Sequence, residues 1–195
     1  DFSKNFNLDS FDGSFNFNSY GDNTLSNTNI TVSSLSNDLN YSALDTFFDN
    51  GIKTNYEIFL KNINTVGKNS PVYKNNPQSE LMSAYTYNAS IPLIKKTLVS
   101  FNTLEPKLSL RFSPHEMKNN TNTSRRIDIR NVFASNRLGL SNSFEAGESI
   151  TLGLNFKKEK ISTLNEISEI EEYIDLKLAS VFRLKDEKNI PTNST

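Results

Sequence analysis

The chain has 195 residues, of which 35% are hydrophobic, and it carries 21 basic and 22 acidic side chains. This balance argues against nucleic-acid binding, because no positive field would concentrate a polyanion around the chain. The absence of cysteine excludes disulfides, thiolate catalysis and cysteine-based metal sites, and no apolar run is long enough to predict a transmembrane helix.

Apolar and polar residues alternate along most of the chain with the period of two that is typical of β-strands. The clearest case has Ile150, Leu152, Leu154 and Phe156 alternating with Thr151, Gly153, Asn155 and Lys157. Strands are predicted at about residues 2–9, 11–19, 29–41, 52–62, 81–93, 101–112, 149–158 and 172–184. The chain is therefore predicted to be all-β and antiparallel, with residues 1–195 in a single architectural unit.

The connections between these strands are predicted to alternate in length. Short connections fall near residues 9–10, 45–50 and 95–100, and longer polar ones at 20–28, 63–80 and 113–148. Such alternation is typical of hairpins in an outer-membrane β-barrel.

The connection at residues 159–171 is longer than this rhythm predicts. Its apolar residues recur at nearly helical spacing: Ile161, Leu164, Ile167 and Ile170. A short amphipathic helix and a plain turn therefore both remain open here.

The polar positions in the predicted strands are mostly Asn, Ser and Thr. A sheet of this kind has one apolar face and one face that meets water, either on the outside of a soluble sandwich or inside a wide barrel. Aromatic residues fall toward several strand ends, as in the interfacial girdles of barrels, but the same rings could fill the core of a sandwich.

The sequence offers little sign of catalysis. His115 is the only histidine, which excludes a multi-histidine metal site, and its polar surroundings predict an exposed loop residue. No phosphate-binding glycine loop or hydrolase motif is present. We expect no enzymatic activity, no cofactor, and neither a catalytic nor a metal site.

A cluster of arginines stands out in the longest predicted loop. It contains Arg125, Arg126, Arg130 and Arg137. Guanidinium groups suit phosphate and carboxylate partners, so the cluster could contact a lipid phosphate. Pairing with Asp128 and Glu145, which would fasten the loop, is the alternative function.

Five separate segments carry a resemblance to a known family, in the correct order from about residue 52 onward. They are Leu60-Lys61-Asn62-Ile63-Asn64-Thr65 with Pro77-Gln78-Ser79-Glu80-Leu81; Ala89-Ser90-Ile91-Pro92-Leu93; Thr103-Leu104-Glu105-Pro106 leading into Leu108–Pro114; Asn131-Val132-Phe133 with Asn136-Arg137-Leu138-Gly139; and Glu145-Ala146-Gly147 running into Ile150-Thr151-Leu152-Gly153-Leu154. In these segments the chain resembles the middle of the barrel of the lipopolysaccharide (LPS) assembly outer-membrane protein family, LptD, also called organic solvent tolerance protein. Residues 1–50 resemble the family only in their general pattern of residue types.

This resemblance implies a partial transmembrane β-barrel of about eight strands, cut from a larger barrel in the outer membrane of a Gram-negative bacterium. It implies insertion of lipopolysaccharide into the outer leaflet, with an LptE-like lipoprotein plug and periplasmic LPS bridge proteins as partners. The bridge would dock on an N-terminal domain outside this chain. In that setting the phosphate for Arg125, Arg126, Arg130 and Arg137 would be that of LPS. A porin-like outer-membrane channel and a soluble secreted β-sandwich adhesin are the alternatives.

Overall fold

The computed structural model describes residues 2–7, 12–26, 29–97, 100–164 and 167–194. These residues form one sheet of ten β-strands. The strands are β1 (Phe2–Asn7), β2 (Gly13–Ser26), β3 (Ile30–Ala43), β4 (Thr46–Phe47), β5 (Lys53–Lys68), β6 (Gln78–Ser90), β7 (Leu93–Lys96), β8 (Ser100–Ser113), β9 (Gly147–Leu164) and β10 (Ile167–Arg183). One 3-10 turn, Thr192–Ser194, follows them. Among the described residues, no helix has the length and apolar character needed to cross a bilayer.

The sheet is an antiparallel meander. Eight long strands pair in the order β1-β2-β3-β5-β6-β8-β9-β10, while the short strands β4 and β7 pair only with β5 and β8. The prediction of an all-β, antiparallel chain with about eight main strands is confirmed. Within the described residues β1 and β10 form the two edges, so the sheet is open and its closure into a barrel is not seen.

The helix considered for residues 159–171 is wrong. β9 continues to Leu164 and β10 begins at Ile167, with Ile161 opposite Ile170 and Leu164 opposite Ile167. The near-helical spacing of the isoleucines is overridden because the two segments pair with each other, and β-branched residues suit such a ladder. The register shifts between Glu172 and Ile174, where a bulge absorbs the irregular spacing.

The predicted alternation of short and long connections holds only in part. β2 runs to Ser26, so residues 20–26 of the long loop expected at 20–28 lie in a strand. The connections near 45–50 and 95–100 are expected to be short. Instead, β4 and β7 lie there, and each pairs with the long strand that follows it, β4 with β5 and β7 with β8. The difference in length between neighbouring connections is greatest after β8. Residues 114–146 separate β8 from β9, whereas β9 ends at Leu164 and β10 begins at Ile167.

Pro106 lies inside β8, and the pairing pattern explains how the strand tolerates it. On one side of β8, residues 107–112 pair with β6 and residues 101–104 pair with β7, so Pro106 falls at the junction between the two partners. Its carbonyl accepts a hydrogen bond from the Ile91 amide on that side (3.2 Å). The missing N–H of the proline therefore falls at a break in the ladder, where no regular bond is lost.

The register places the apolar residues of successive strands on one face, which we call the apolar face. Cross-strand pairs such as Tyr56 with Tyr87, and Leu108 with Leu152, define it. Many of its side chains are exposed, with Leu152 at 48% and Phe182 at 53%. No second layer of the described chain covers this face. The large exposed side chains of strands β5 to β10 on it are Tyr56, Leu81, Tyr85, Tyr87, Leu93, Leu110, Phe112, Leu152, Ile174, Leu176, Leu178 and Phe182.

The opposite face, which we call the polar face, carries amide, hydroxyl and charged side chains. Asp38 lies opposite Lys61 and bonds to it at 2.8 Å, although Lys61 is buried. Segment 114–146, which we call the covering loop, packs on this face between β5 and β9. Its Phe144 is fully buried and stacks on Phe59 of β5, with ring centroids 4.9 Å apart. The molecule thus buries its polar face and exposes its apolar face.

Gly153 makes room for the covering loop. A Cβ built at this position would lie 2.4 Å from Cζ and 2.9 Å from Cε2 of Phe133. The ring therefore packs directly on the backbone of β9, which only glycine permits without a shift of the loop.

We expect Gly153→Ala to destabilise the full-length protein by about 1–3 kcal/mol, because a methyl group in a filled contact forces Phe133 away. Denaturant unfolding measures the effect. Gly21→Ala, in β2, is the matched control, because its Cβ would meet its nearest neighbour at an ordinary 3.7 Å. Equal stability of the two variants would contradict the proposed contact.

Candidate functional site: the arginine cluster beneath the covering loop

The covering loop is held by two apolar clusters. One joins Phe144 to Phe59, Ile63, Met82 and Ala84 on the sheet. The other joins the loop to residues 184–194, which we call the C-terminal segment. Its members are Met117, Leu138, Leu140 and Ala146 from the loop and Ile190 from the C-terminal segment. The C-terminal segment therefore contributes to holding the loop in place.

Hydrogen bonds join the same two segments. The Asn120 amide donates to the Asn189 carbonyl at 2.9 Å, and the Asn189 side chain donates to the Met117 carbonyl at 3.0 Å. Further along, the Ile127 amide donates to Ser194 Oγ at 2.9 Å. The loop and the C-terminal segment thus form a single irregular layer.

Arg137 and Glu145 form a buried ion pair under this layer. The guanidinium donates two hydrogen bonds to the carboxylate, both 2.6 Å long, and the side chains are 1% and 3% exposed. Arg137 also donates to Ser149 Oγ at 3.0 Å and to Thr151 Oγ1 at 3.3 Å on β9. A forked guanidinium is suited to such a bidentate contact, and the extra bonds to β9 fix the loop against the sheet.

Two further arginines approach Glu145 from the strands. Arg111 of β8 donates to the Glu145 carbonyl at 2.6 Å and to the Ser135 carbonyl at 3.1 Å. Arg183 of β10 approaches the Glu145 carboxylate at 3.5 Å and donates to the Ser194 carbonyl at 3.3 Å. Three guanidinium groups therefore meet at Glu145: Arg137 and Arg183 at its carboxylate, and Arg111 at its backbone carbonyl.

The charges determine the protonation of Glu145. Burial alone would raise the pKa of its carboxyl group, but the hydrogen bonds and charge of Arg137, with the charges of Arg111 and Arg183, hold this pKa below its usual range. The carboxylate therefore stays ionised within a positively charged site.

The other predicted arginines lie elsewhere, on the outer side of the loop. Arg130 pairs with Asp128 at 2.7 Å and Arg126 approaches the same carboxylate at 3.8 Å, while both arginines are well exposed. Hydrogen bonds from the Arg130 side chain and backbone lower the pKa of Asp128 to about 2. Arg125 is also exposed, next to Gly139.

The four predicted arginines are therefore divided. Arg137 pairs with Glu145 and fastens the loop, as the alternative predicts, and Arg126 and Arg130 pair with Asp128. Contact of any of them with a lipid phosphate stays a prediction.

Arg111 and Arg183 were not among the predicted site residues. A signal was present, because both fall on the polar face of their strands and both lie opposite Ser149, one on each side of it. Arginine at a polar position of an otherwise alternating strand is costly to bury and therefore indicates a partner on that face.

His115 is not the exposed loop residue that the sequence predicts. Its ring is half-buried, with Nδ1 3.1 Å from Ser113 Oγ and Nε2 3.0 Å from the Phe144 carbonyl. It thus links the end of β8 to the residue that anchors the loop. Within the described residues, no three histidine, cysteine or acidic side chains come together in a way that could hold a metal ion.

Comparisons with known proteins identify no relative: no family model, no curated protein and no solved structure matches the chain. The resemblance to the LptD family therefore rests on the sequence segments given above.

Removing the Glu145 carboxylate should release the covering loop. We expect Glu145→Ala to cost about 3–5 kcal/mol, because Arg137 would remain buried without its partner. The readout is limited trypsin digestion of the full-length protein, since Arg125, Arg126 and Arg130 provide cleavage sites on the outer side of the loop.

Glu116→Ala, at an exposed position of the same loop, is the matched control. Rapid cleavage of the Glu145 variant alone is expected. Equal resistance of both variants would show that the apolar clusters hold the loop without the ion pair.

Proposed function

We propose that the chain is part of a transmembrane β-barrel of the bacterial outer membrane, and that this barrel inserts lipopolysaccharide into the outer leaflet. The observation that carries the proposal is the distribution of polarity over the sheet. A soluble sheet buries its apolar face, whereas here the apolar face is uncovered and the polar face holds the chain's own loop. A barrel wall in a bilayer has this arrangement, with apolar residues toward lipid and polar residues toward the lumen.

The height of the apolar band supports a membrane location. On β9, Ile150 to Phe156 lie between Glu148 and Lys158 on the apolar face, as the cross-strand pairs of these residues show. At about 3.4 Å per residue the two charged positions are roughly 34 Å apart along the strand. A tilt of about 45° reduces this to roughly 24 Å, close to the apolar height of outer-membrane barrels.

The aromatic residues have a matching position. Tyr56, Tyr85, Tyr87 and Phe112 form a patch on the apolar face around Leu110, toward the end where β8 gives way to the covering loop. Tyrosine rings favour the boundary between hydrocarbon and water because they are apolar in the ring and polar at the hydroxyl.

A wide polar lumen suits an amphipathic cargo such as lipopolysaccharide. The sugar and phosphate groups would pass along the polar face, and the acyl chains would reach the bilayer between strands. In this proposal Arg125, Arg126 and Arg130 lie on the accessible side of the loop, where an LPS phosphate could reach them. Arg137 serves the anchoring of the loop. An LptE-like lipoprotein plug and periplasmic LPS bridge proteins are the partners that the family resemblance implies.

Two alternatives make different demands on the same residues. A soluble β-sandwich adhesin needs a protein layer over the apolar face, and the described residues provide none. A porin-like channel would share the polarity of the sheet, so only a measurement of LPS export separates it from the proposed function.

Depletion of the full-length protein tests this proposal. Newly made LPS that an impermeant label can reach at the cell surface should fall sharply, while other outer-membrane barrels still assemble. Restoring the protein from a plasmid controls for effects of the depletion itself. Unchanged surface LPS would contradict export and favour the porin-like channel.

A further inference from the structure

A second site lies on the polar face, away from the arginine cluster. It is a cleft of about 220 Å³, which we call the lower cleft, between Phe133 of the covering loop and strands β5, β6 and β8. It lies toward the end of the sheet that carries the short strands β4 and β7. Its polar lining includes Asp45, Lys53, Asn55, Glu57, Asn88, Glu105 and Lys107.

A chain of hydrogen bonds holds one wall of the lower cleft. The Asn88 amide donates to Asn55 Oδ1 at 3.0 Å, and the Asn55 amide donates to Asp45 Oδ1 at 3.1 Å. Asp45 in turn pairs with Lys53 at 2.7 Å. These side chains are thus positioned before any ligand binds.

The charges of the lower cleft nearly cancel. Lys53 pairs with Asp45, and Lys107 pairs with Glu105 at 3.0 Å. Glu57 adds one negative charge and accepts a hydrogen bond from Ser135 of the covering loop. No excess of positive charge is available, so the cleft does not suit a phosphate or another polyanion.

One acceptor in the lower cleft is left without a partner. Asn88 Oδ1 is buried and accepts no hydrogen bond in the described structure. A buried polar atom without a partner is costly, so a turn of the Asn88 side chain that lets Oδ1 accept a hydrogen bond from an O–H or N–H group of a ligand in the cleft would be favourable.

Phe133 supplies the apolar surface of the lower cleft. The backbone of Gly153 supports the ring, and Lys107 Nζ lies 5.9 Å from the ring centroid. The negative face of an aromatic ring attracts groups with slightly positive hydrogens, such as the C–H face of a sugar.

We propose that the lower cleft binds an uncharged saccharide. Ordered amide and carboxylate groups, an acceptor in need of a donor, balanced charge and one aromatic wall fit a ligand rich in hydroxyl groups. They fit neither an acyl chain nor an oxyanion. That the natural saccharide is the polar part of the exported glycolipid rests on the proposed function. The chemistry of the cleft is independent of that function.

The test is isothermal titration calorimetry on the full-length protein in detergent, with soluble neutral tetrasaccharides of hexoses and N-acetylhexosamines as probes. At least one probe should bind. Phe133→Ala and Asn88→Leu should each weaken its binding tenfold or more, and Phe133→Tyr should retain it because the ring remains.

Phe48→Ala is the matched control, since Phe48 is an exposed aromatic residue in the 44–52 connection at the same end of the sheet. Asn88 lies on β6, so its variant separates loss of ligand contacts from release of the covering loop. Digestion with trypsin checks that the loop stays in place.

Two results would overturn the inference: no neutral probe binds, or the two variants bind as tightly as the wild type. If no saccharide binds but depletion still reduces surface LPS, the lower cleft alone is wrong. If a saccharide binds but surface LPS is unchanged, the export function is wrong and the cleft stands.

Discussion

The period of two in the long strands is the constraint on which the rest of the structure depends. In a β-strand successive side chains point to opposite faces, so one sequence has to suit two different surroundings at once. The antiparallel register then carries the same polarity from strand to strand, as from Leu108 to Leu152 on one face and from Ser109 to Thr151 on the other. A slip of one residue would move every apolar side chain to the polar face.

The polar face requires a different kind of stability from that of an ordinary core. Phe59, Ile63, Met82 and Ala84 offer only a small apolar area to the covering loop, with Phe144 as the main contact from the loop. Buried charge adds to this attachment. Arg137 and Glu145, both in the loop, pair with each other, and the strand residues Ser149, Thr151, Arg111 and Arg183 bond to this pair. Removing such an ion pair from water is costly. The pair nevertheless favours one position of the loop, because burying either charge without its partner would be strongly unfavourable.

The strands could be predicted well from the sequence because alternation is a local property. The covering loop could not, because its position depends on contacts between distant residues. Arg111, Arg137 and Arg183 come from β8, the loop and β10, and only the register of three strands brings them together at Glu145. His115 shows the same limit, since its polar neighbours in sequence predict exposure while Phe144 covers it in the fold. The helix considered at 159–171 is wrong for a related reason. Helical spacing is a property of one segment, whereas pairing between two segments determines the structure here.

The most direct test of this account is the environment of alternate residues on β9. Residues 1–195 contain no cysteine. With any cysteine elsewhere in the full-length protein replaced by serine, single cysteines at 150, 152, 154 and 156, and at 149, 151 and 155, can each carry one nitroxide label after reconstitution into lipid. The account predicts that the first set collides with oxygen dissolved in the bilayer and is shielded from a water-soluble nickel chelate, while the second set is shielded from lipid. Equal accessibility of the two sets, or burial of the first set away from both reagents, would contradict a membrane-facing sheet.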